Sequence, residues 1–263
     1  MPATRTRGRR TVYALAALAL LAGAFPPSRA FAEDPAPPPS AEEIARRENV
    51  ERLEKDVRRM ATAPWAASKK EEIRKAVEAL GVLGGTAAAK ATLAALALDD
   101  EEIEKDVMKV VEADHGKALV TPLAALLDGK DMRRRFRLHA QVAHALAVIA
   151  DVSAIEPLTE MIRSEDAGVV AAAADALATY RTASHAKRLE PVRRMIDLFE
   201  TTWNNKESIR PADRLRREQA RQDWEVFGQA LRKSLQALTG QAQLARPKQF
   251  RDWWNEHKKD TNW

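Results

Sequence analysis

The chain has no cysteine, only two tyrosines and ten glycines in 263 residues. Lacking cysteine, it can build no disulfide framework, no thiol nucleophile, no thiolate metal site and no lipid anchor on an N-terminal cysteine. No stretch alternates apolar and polar residues with β-branched side chains, so a sheet is not expected. The longest apolar run, Val12–Phe25, falls short of the roughly 20 residues that span a bilayer. The five histidines (His115, His139, His144, His185, His257) show no HExxH or other ligand spacing, and GxSxG and a glycine-rich phosphate loop are also missing. The carboxylates of Asp99, Asp100, Glu101 and Glu102 stand at an expected helix start, where they complement the dipole and need no further role. These absences argue against an enzyme, and no cofactor or metal is expected.

What is present begins with the N-terminus. Arg5, Arg7, Arg9 and Arg10 precede the apolar run, Pro26 and Pro27 end it, and Ala30-Phe31-Ala32 offers small residues for cleavage. That layout is a secretory signal peptide over residues 1–32, and it implies export to the periplasm or beyond. Only the paired Arg9-Arg10 suggests the twin-arginine route, so general secretion is the better expectation. No stable membrane insertion is expected after cleavage. The signal also explains the basic balance: without its five arginines, 38 basic side chains face 38 acidic ones. A nucleic-acid partner therefore loses its electrostatic motive. The remaining charge is uneven, with 20 basic and 27 acidic residues over 33–180 against 18 and 11 over 181–263. Such polarity can orient an encounter with a charged partner.

After a proline-rich linker (residues 33–40), Ser40 and Glu43 form a capping-box pattern that opens a helix to about Met60. Its stripe of Val50, Leu53, Val57 and Met60 reads as the first helix of a stacked array rather than as an independent coiled coil. Beyond it a helix pair recurs. "IRKAVEALGVLGG", "IEKDVMKVVEADHG", "LHAQVAHALAVIAD" and "VVAAAADALATYR" align on Leu80, Val111, Leu146 and Leu177, spaced 31, 35 and 31 residues. The preceding segments "TLAALALDD", "PLAALLDGKD" and "PLTEMIRSED" keep step. Ser68 with Glu71 and Ser153 with Glu156 look like further capping boxes, with stops at Gly84-Gly85 and His115-Gly116. Repeats of this period bury their apolar faces only by stacking on one another. Leu138, Val142, Ala145, Leu146 and Ile149 form one core face, and Val169, Val170, Ala173, Ala176 and Leu177 the next.

"EALGVLGG" at 78–85 resembles the end of a HEAT repeat's second helix, and "PLAALL" and "PLTEMI" resemble its first helix. The resemblance covers residues 65–185. Asp166 with Val169 fits the family pattern of an aspartate ahead of the second helix, while Val170 stands where an arginine is usual. The expected fold class is thus all-α: an α-solenoid of about five helical hairpins, an armadillo-type superhelix. It comprises repeats over 41–185 and a C-terminal hairpin with a tryptophan-rich cap over 186–263. What the family implies is a non-catalytic protein-binding scaffold.

Two patches are the candidate binding residues. Arg133, Arg134, Arg135 and Arg137 cluster at a helix start, against the dipole, so an offsetting charge is needed. Asp131, four residues before Arg135, could supply it, and so could an acidic protein partner. At the other end, five of six tryptophans fall in the final 61 residues, and the LTG followed by Trp253-Trp254 resembles endings of secreted bacterial HEAT-type proteins. Adjacent tryptophans diverge on a helix, so one of Trp253 and Trp254 is expected to be exposed. Covering the last repeat is the expected role, and an aromatic groove for a glycan or envelope polymer is the alternative.

Overall fold

The computed structural model describes residues 38–63, 65–128, 135–208 and 210–263. The chain divides into two units, Met1–Ser40 and Ala41–Trp263. The expected signal peptide and most of the proline-rich linker lie outside the described residues, as do Asp131, Arg133 and Arg134. Among the described residues there are eleven α-helices and no strand, so the protein is all-α as expected. The helices are α1 Ala41–Thr62, α2 Lys70–Leu83, α3 Thr86–Thr92, α4 Glu101–Asp114, α5 Val120–Asp128 and α6 Phe136–Ile149. They continue with α7 Ile155–Met161, α8 Ala167–Ala178, α9 His185–Lys206, α10 Arg214–Thr239 and α11 Pro247–His257. None of them is long and apolar enough to cross a membrane.

Helix α8 shows how the sequence makes these elements. Asp166 caps it by accepting a hydrogen bond from the Val169 amide (2.9 Å), and alanine, the best helix former, fills more than half of it. Its short side chains let α6 and α10 pack against it from either side. Asp100 caps α4 in the same way, accepting from the amides of Glu102 and Ile103 (3.2 Å each). The boxes expected at Ser68 and Ser153 do not form. A 3-10 turn, Ala66–Lys69, runs directly into α2, and the Ser68 hydroxyl donates instead to the Trp65 carbonyl (2.8 Å). The Ser153 hydroxyl and amide both go to Asp151, which caps the turn ahead of α7. In both places the extra turn moves the serine off the helix end.

Consecutive helices pair as α1/α2, α3/α4, α5/α6, α7/α8 and α9/α10. The second members pack in succession, α2 on α4, α4 on α6, α6 on α8 and α8 on α10, while α1 packs on α3, α7 on α9 and α11 on α9. Leu80, Val111, Leu146 and Leu177 are all fully buried. So are Leu138, Val142, Ala145, Val169, Val170, Ala173 and Ala176, whereas Ile149 is only partly buried against the core. Two buried hydroxyls tie neighbouring helices through backbone carbonyls. The Ser234 hydroxyl of α10 donates to the Ala174 carbonyl of α8, and the Tyr180 hydroxyl reaches the Leu146 carbonyl at the end of α6 (2.8 Å). Burial pushes that phenol up to about 12.

Two helix ends use left-handed residues that are not glycine, His115 (φ 52°) and Ala150 (φ 55°). The stop at His115-Gly116 is therefore made by the histidine. Gly116 has an ordinary backbone, and a Cβ there would collide with the side chains of Thr86 and Asp114. Replacing Ala150 with glycine should stabilise the fold by up to about 1 kcal/mol, since glycine carries no Cβ penalty in this region. Leu146→Ala should cost about 2–5 kcal/mol through the cavity it leaves. Urea denaturation measures both changes, and an unchanged midpoint for Leu146→Ala would contradict its place in the core.

Candidate functional site

The arginine cluster resolves into an internal clamp where it is described. Arg135 immediately precedes α6 and turns its guanidinium back over the preceding pair of helices. It donates to the Leu96 carbonyl and to the Glu104 carboxylate, and lies 3.1 Å from Asp99. Arg137, in the first turn of α6, donates through Nε (3.0 Å) and Nη2 (2.8 Å) to the other oxygen of Glu104, and through Nη1 to Glu101 (2.7 Å). Glu104 is 1% exposed and is the one fully buried carboxylate among the described residues. The charge that offsets two of the four arginines is therefore α4, some 31–36 residues away in sequence. The hydrogen bond to Glu104 is the first reason that the Arg137 guanidinium is held above its ordinary pKa. Of the two described arginines, Arg137, with its side chain 45% exposed, is the one that keeps an edge open to solvent.

Similar pairs tie the other neighbours. Arg74 of α2 reaches Asp106 (2.8 Å) and Glu102 (2.9 Å) on α4. Arg194 of α9 reaches Glu160 on α7 (2.9 Å), and Arg251 of α11 reaches Glu200 (2.9 Å) and Asp197 on α9. The Arg194 and Arg193 hydrogen bonds also hold Glu190 down to about 2, Arg193 first.

The tryptophan pair also turns inward. Trp253 and Trp254 are 8% and 6% exposed, so neither presents a free face, contrary to the expectation from helix geometry alone. They do diverge, but the segment after α11 folds back and covers the second direction. Trp263 meets both indoles edge-on, with ring centroids 5.1 and 6.0 Å away. Its own indole N–H donates to the His257 carbonyl (2.8 Å), and Arg188 stacks over its ring at 5.1 Å while donating to its backbone oxygen. Phe250, fully buried, anchors the same helix. Among the described residues no group of histidines and carboxylates could hold a metal ion.

The open surface lies elsewhere. A groove of about 810 Å³ runs between α2 and α4, lined by Arg74, Lys75, Glu78, Val82, Asp106 and Val110 among others. A shallower cleft of about 440 Å³ adjoins it between α1 and α2 and shares Lys75, Glu78 and Val82. Val82, at the ridge between them, is 84% exposed. Gly81 sets the floor, because a Cβ there would sit 2.9 Å from Cγ2 of Val110 and the two helices would have to part. Lys75, Glu78 and Lys109 have no ion-pair partner among the described residues, whereas Arg74 is pinned across the groove to Asp106. Two signals in "LGVLGG" mark this place: a valine out of phase with the stripe of Ile73, Val77 and Leu80, and a glycine inside a helix. No family model, curated protein or solved structure matches the chain.

The clamp makes a stability prediction. Glu104→Ala strands Arg135, 10% exposed at its side chain, without its main counter-charge, and should cost about 3–5 kcal/mol. Arg137→Ala removes a half-exposed partner and should cost about 1 kcal/mol. Chemical denaturation compares the two, and equal small losses would show that burial of Glu104 carries no penalty.

Proposed function

We propose that the chain is an exported, non-catalytic interaction scaffold: an α-solenoid of five HEAT-like hairpins, armadillo-type, whose second helices line the binding face. In this reading a segment of a protein partner lies in the groove between α2 and α4. The observation that carries it is Val82, a large aliphatic side chain held 84% exposed on the ridge between two adjoining clefts. Exposed apolar surface rimmed by charged residues marks interaction sites. Lys75 and Lys109, left without internal partners among the described residues, suit an acidic or mixed-charge segment. The succession α2, α4, α6, α8 and α10 supports the repeat architecture, and the 31–35-residue spacing of its buried anchors agrees with it. The N-terminal layout of residues 1–32 supports export. A glycan site at Trp253 and Trp254 has lost its motive, because their rings are covered.

A photo-crosslinking residue at position 82 tests the reading in an envelope extract. One protein should be captured, and capture should fall at least tenfold when Glu78 and Lys75 are both replaced by alanine. Val82→Glu should leave stability within about 0.5 kcal/mol, since the residue is on the surface. Capture of nothing, or of many proteins indifferent to these changes, would overturn the groove as a docking site.

A further inference from the structure

The C-terminal tail closes a hollow whose walls have anchors of their own. Helix α11 is fixed on α9 by the fully buried Phe250 and by Arg251, which reaches Glu200 (2.9 Å) and Asp197. Trp263 enters between the two helices. Its indole meets His185 of α9 edge-on, with ring centroids 4.5 Å apart, and Trp253 and Trp254 of α11 in the same way. Arg188, in the first turn of α9, lies over the ring and donates to the Trp263 backbone oxygen.

The tail has a single anchor. Lys258, Lys259, Asp260, Thr261 and Asn262 are all exposed. Two backbone bonds, Lys258 to Trp254 and Asp260 to His257 (2.9 Å each), only finish the turn after α11. The Thr261 hydroxyl turns to the side chain of Asn262 next to it (3.4 Å). Past Asp260 the tail is therefore held to the helices by Trp263 alone, and a segment held by one side chain opens at far lower cost than a core. Nor does the tail use all that the hollow offers. Arg188 divides its donors between the Leu238 and Trp263 backbone oxygens, while its Nε and the Nε2 of His185 are buried without a hydrogen bond among the described residues. Burial holds this guanidinium below its ordinary pKa, and no carboxylate side chain among the described residues offsets that. A guanidinium fork fits a carboxylate with two prongs, which a lone carbonyl cannot complete.

We propose that this hollow recognises the aromatic C-terminal residue of a partner polypeptide, and that Trp263 is its resident competitor. The residue that fills it now states the chemistry: an indole joined to a main-chain oxygen within reach of Arg188. Trp253, Trp254 and His185 receive the ring edge-on, the arrangement that aromatic quadrupoles favour. Arg188 takes the terminal carboxylate, so that a chain end is preferred over an internal tryptophan. The exposed residues 258–262 tether Trp263 closely, at an effective concentration on the order of millimolar. The tail thus sets a threshold that a partner must exceed to displace it. This site is separate from the groove between α2 and α4 and does not rest on it.

Fluorescence polarisation of a fluorescein-labelled Lys-Lys-Asp-Thr-Asn-Trp peptide, titrated with the full chain, tests the proposal. Trp263→Ala protein should bind the peptide saturably, and wild type at least tenfold more weakly because its own tail competes. Capping the peptide's carboxylate as an amide, or replacing its tryptophan with alanine, should each weaken binding at least tenfold. In the wild-type protein the Trp263 indole N–H should exchange with solvent through local opening, with little dependence on urea. The amides of Leu231 and Leu235 should instead exchange only with global unfolding. Circular dichroism should show that Trp263→Ala keeps its helices; their collapse would make Trp263 a structural cap and overturn the proposal. Equal binding by the two proteins would also overturn it, as would no binding to Trp263→Ala up to roughly 0.5 mM. So would indifference to either change in the peptide, or a Trp263 indole that exchanges only with the core.

Discussion

The buried carboxylate of Glu104 is the contact on which the middle of this protein depends. It lies between α4 and α6, takes one arginine from just before α6 and another from its first turn, and has almost no access to water. A lone carboxylate in that position would be untenable, so the two guanidiniums are obligatory partners. The clamp also answers a local difficulty, the crowding of positive charge at the start of a helix. By drawing Arg135 and Arg137 onto α4, the fold turns two unfavourable charges into the bond that ties adjacent helix pairs. The same device recurs in weaker, more exposed form at Arg74, Arg194 and Arg251.

Energetically the structure combines two kinds of contact. Fully buried leucines, valines and alanines give bulk stability without orientation. Arginine–carboxylate pairs give orientation, because a fork of donors fits a carboxylate in few arrangements. The two kinds occupy different levels of each helix: the apolar stripe faces the core, and the charged residues sit at its edge. Between α2 and α4, beside Gly81 and Val82, both kinds of contact form the floor and wall of an open groove, with Val110 packed against Gly81 and Arg74 joined to Asp106. At the C-terminal end the packing problem is solved by aromatic area, with Trp263 closing over Trp253 and Trp254.

The helical layout was legible in the sequence because burial writes a period. Leu80, Val111, Leu146 and Leu177 had to recur for helices to stack, and each is fully buried. Boundaries were legible where one residue decides them, as at Asp166 and Gly84, and illegible where a 3-10 turn displaced the cap, as at Ser68 and Ser153. The candidate residues fared differently, for a physical reason. Composition shows that Arg135 and Arg137 need a counter-charge, but not that it comes from Glu104 across a whole helix pair. Likewise helix geometry shows that Trp253 and Trp254 diverge, but not that a returning tail covers both. The groove depends on how closely two helices approach, which one glycine hints at and no periodicity reports.

Native-state hydrogen exchange across α4 and α6, read as a function of urea, tests the central claim most directly. If the Glu104 clamp joins the two helices into one cooperative unit, the amides of Ile103–Val111 and Leu138–Leu146 will share a single opening free energy and a single urea dependence. If α4 opens at low urea while α6 stays protected, the clamp does not couple them, and apolar packing alone holds the stack.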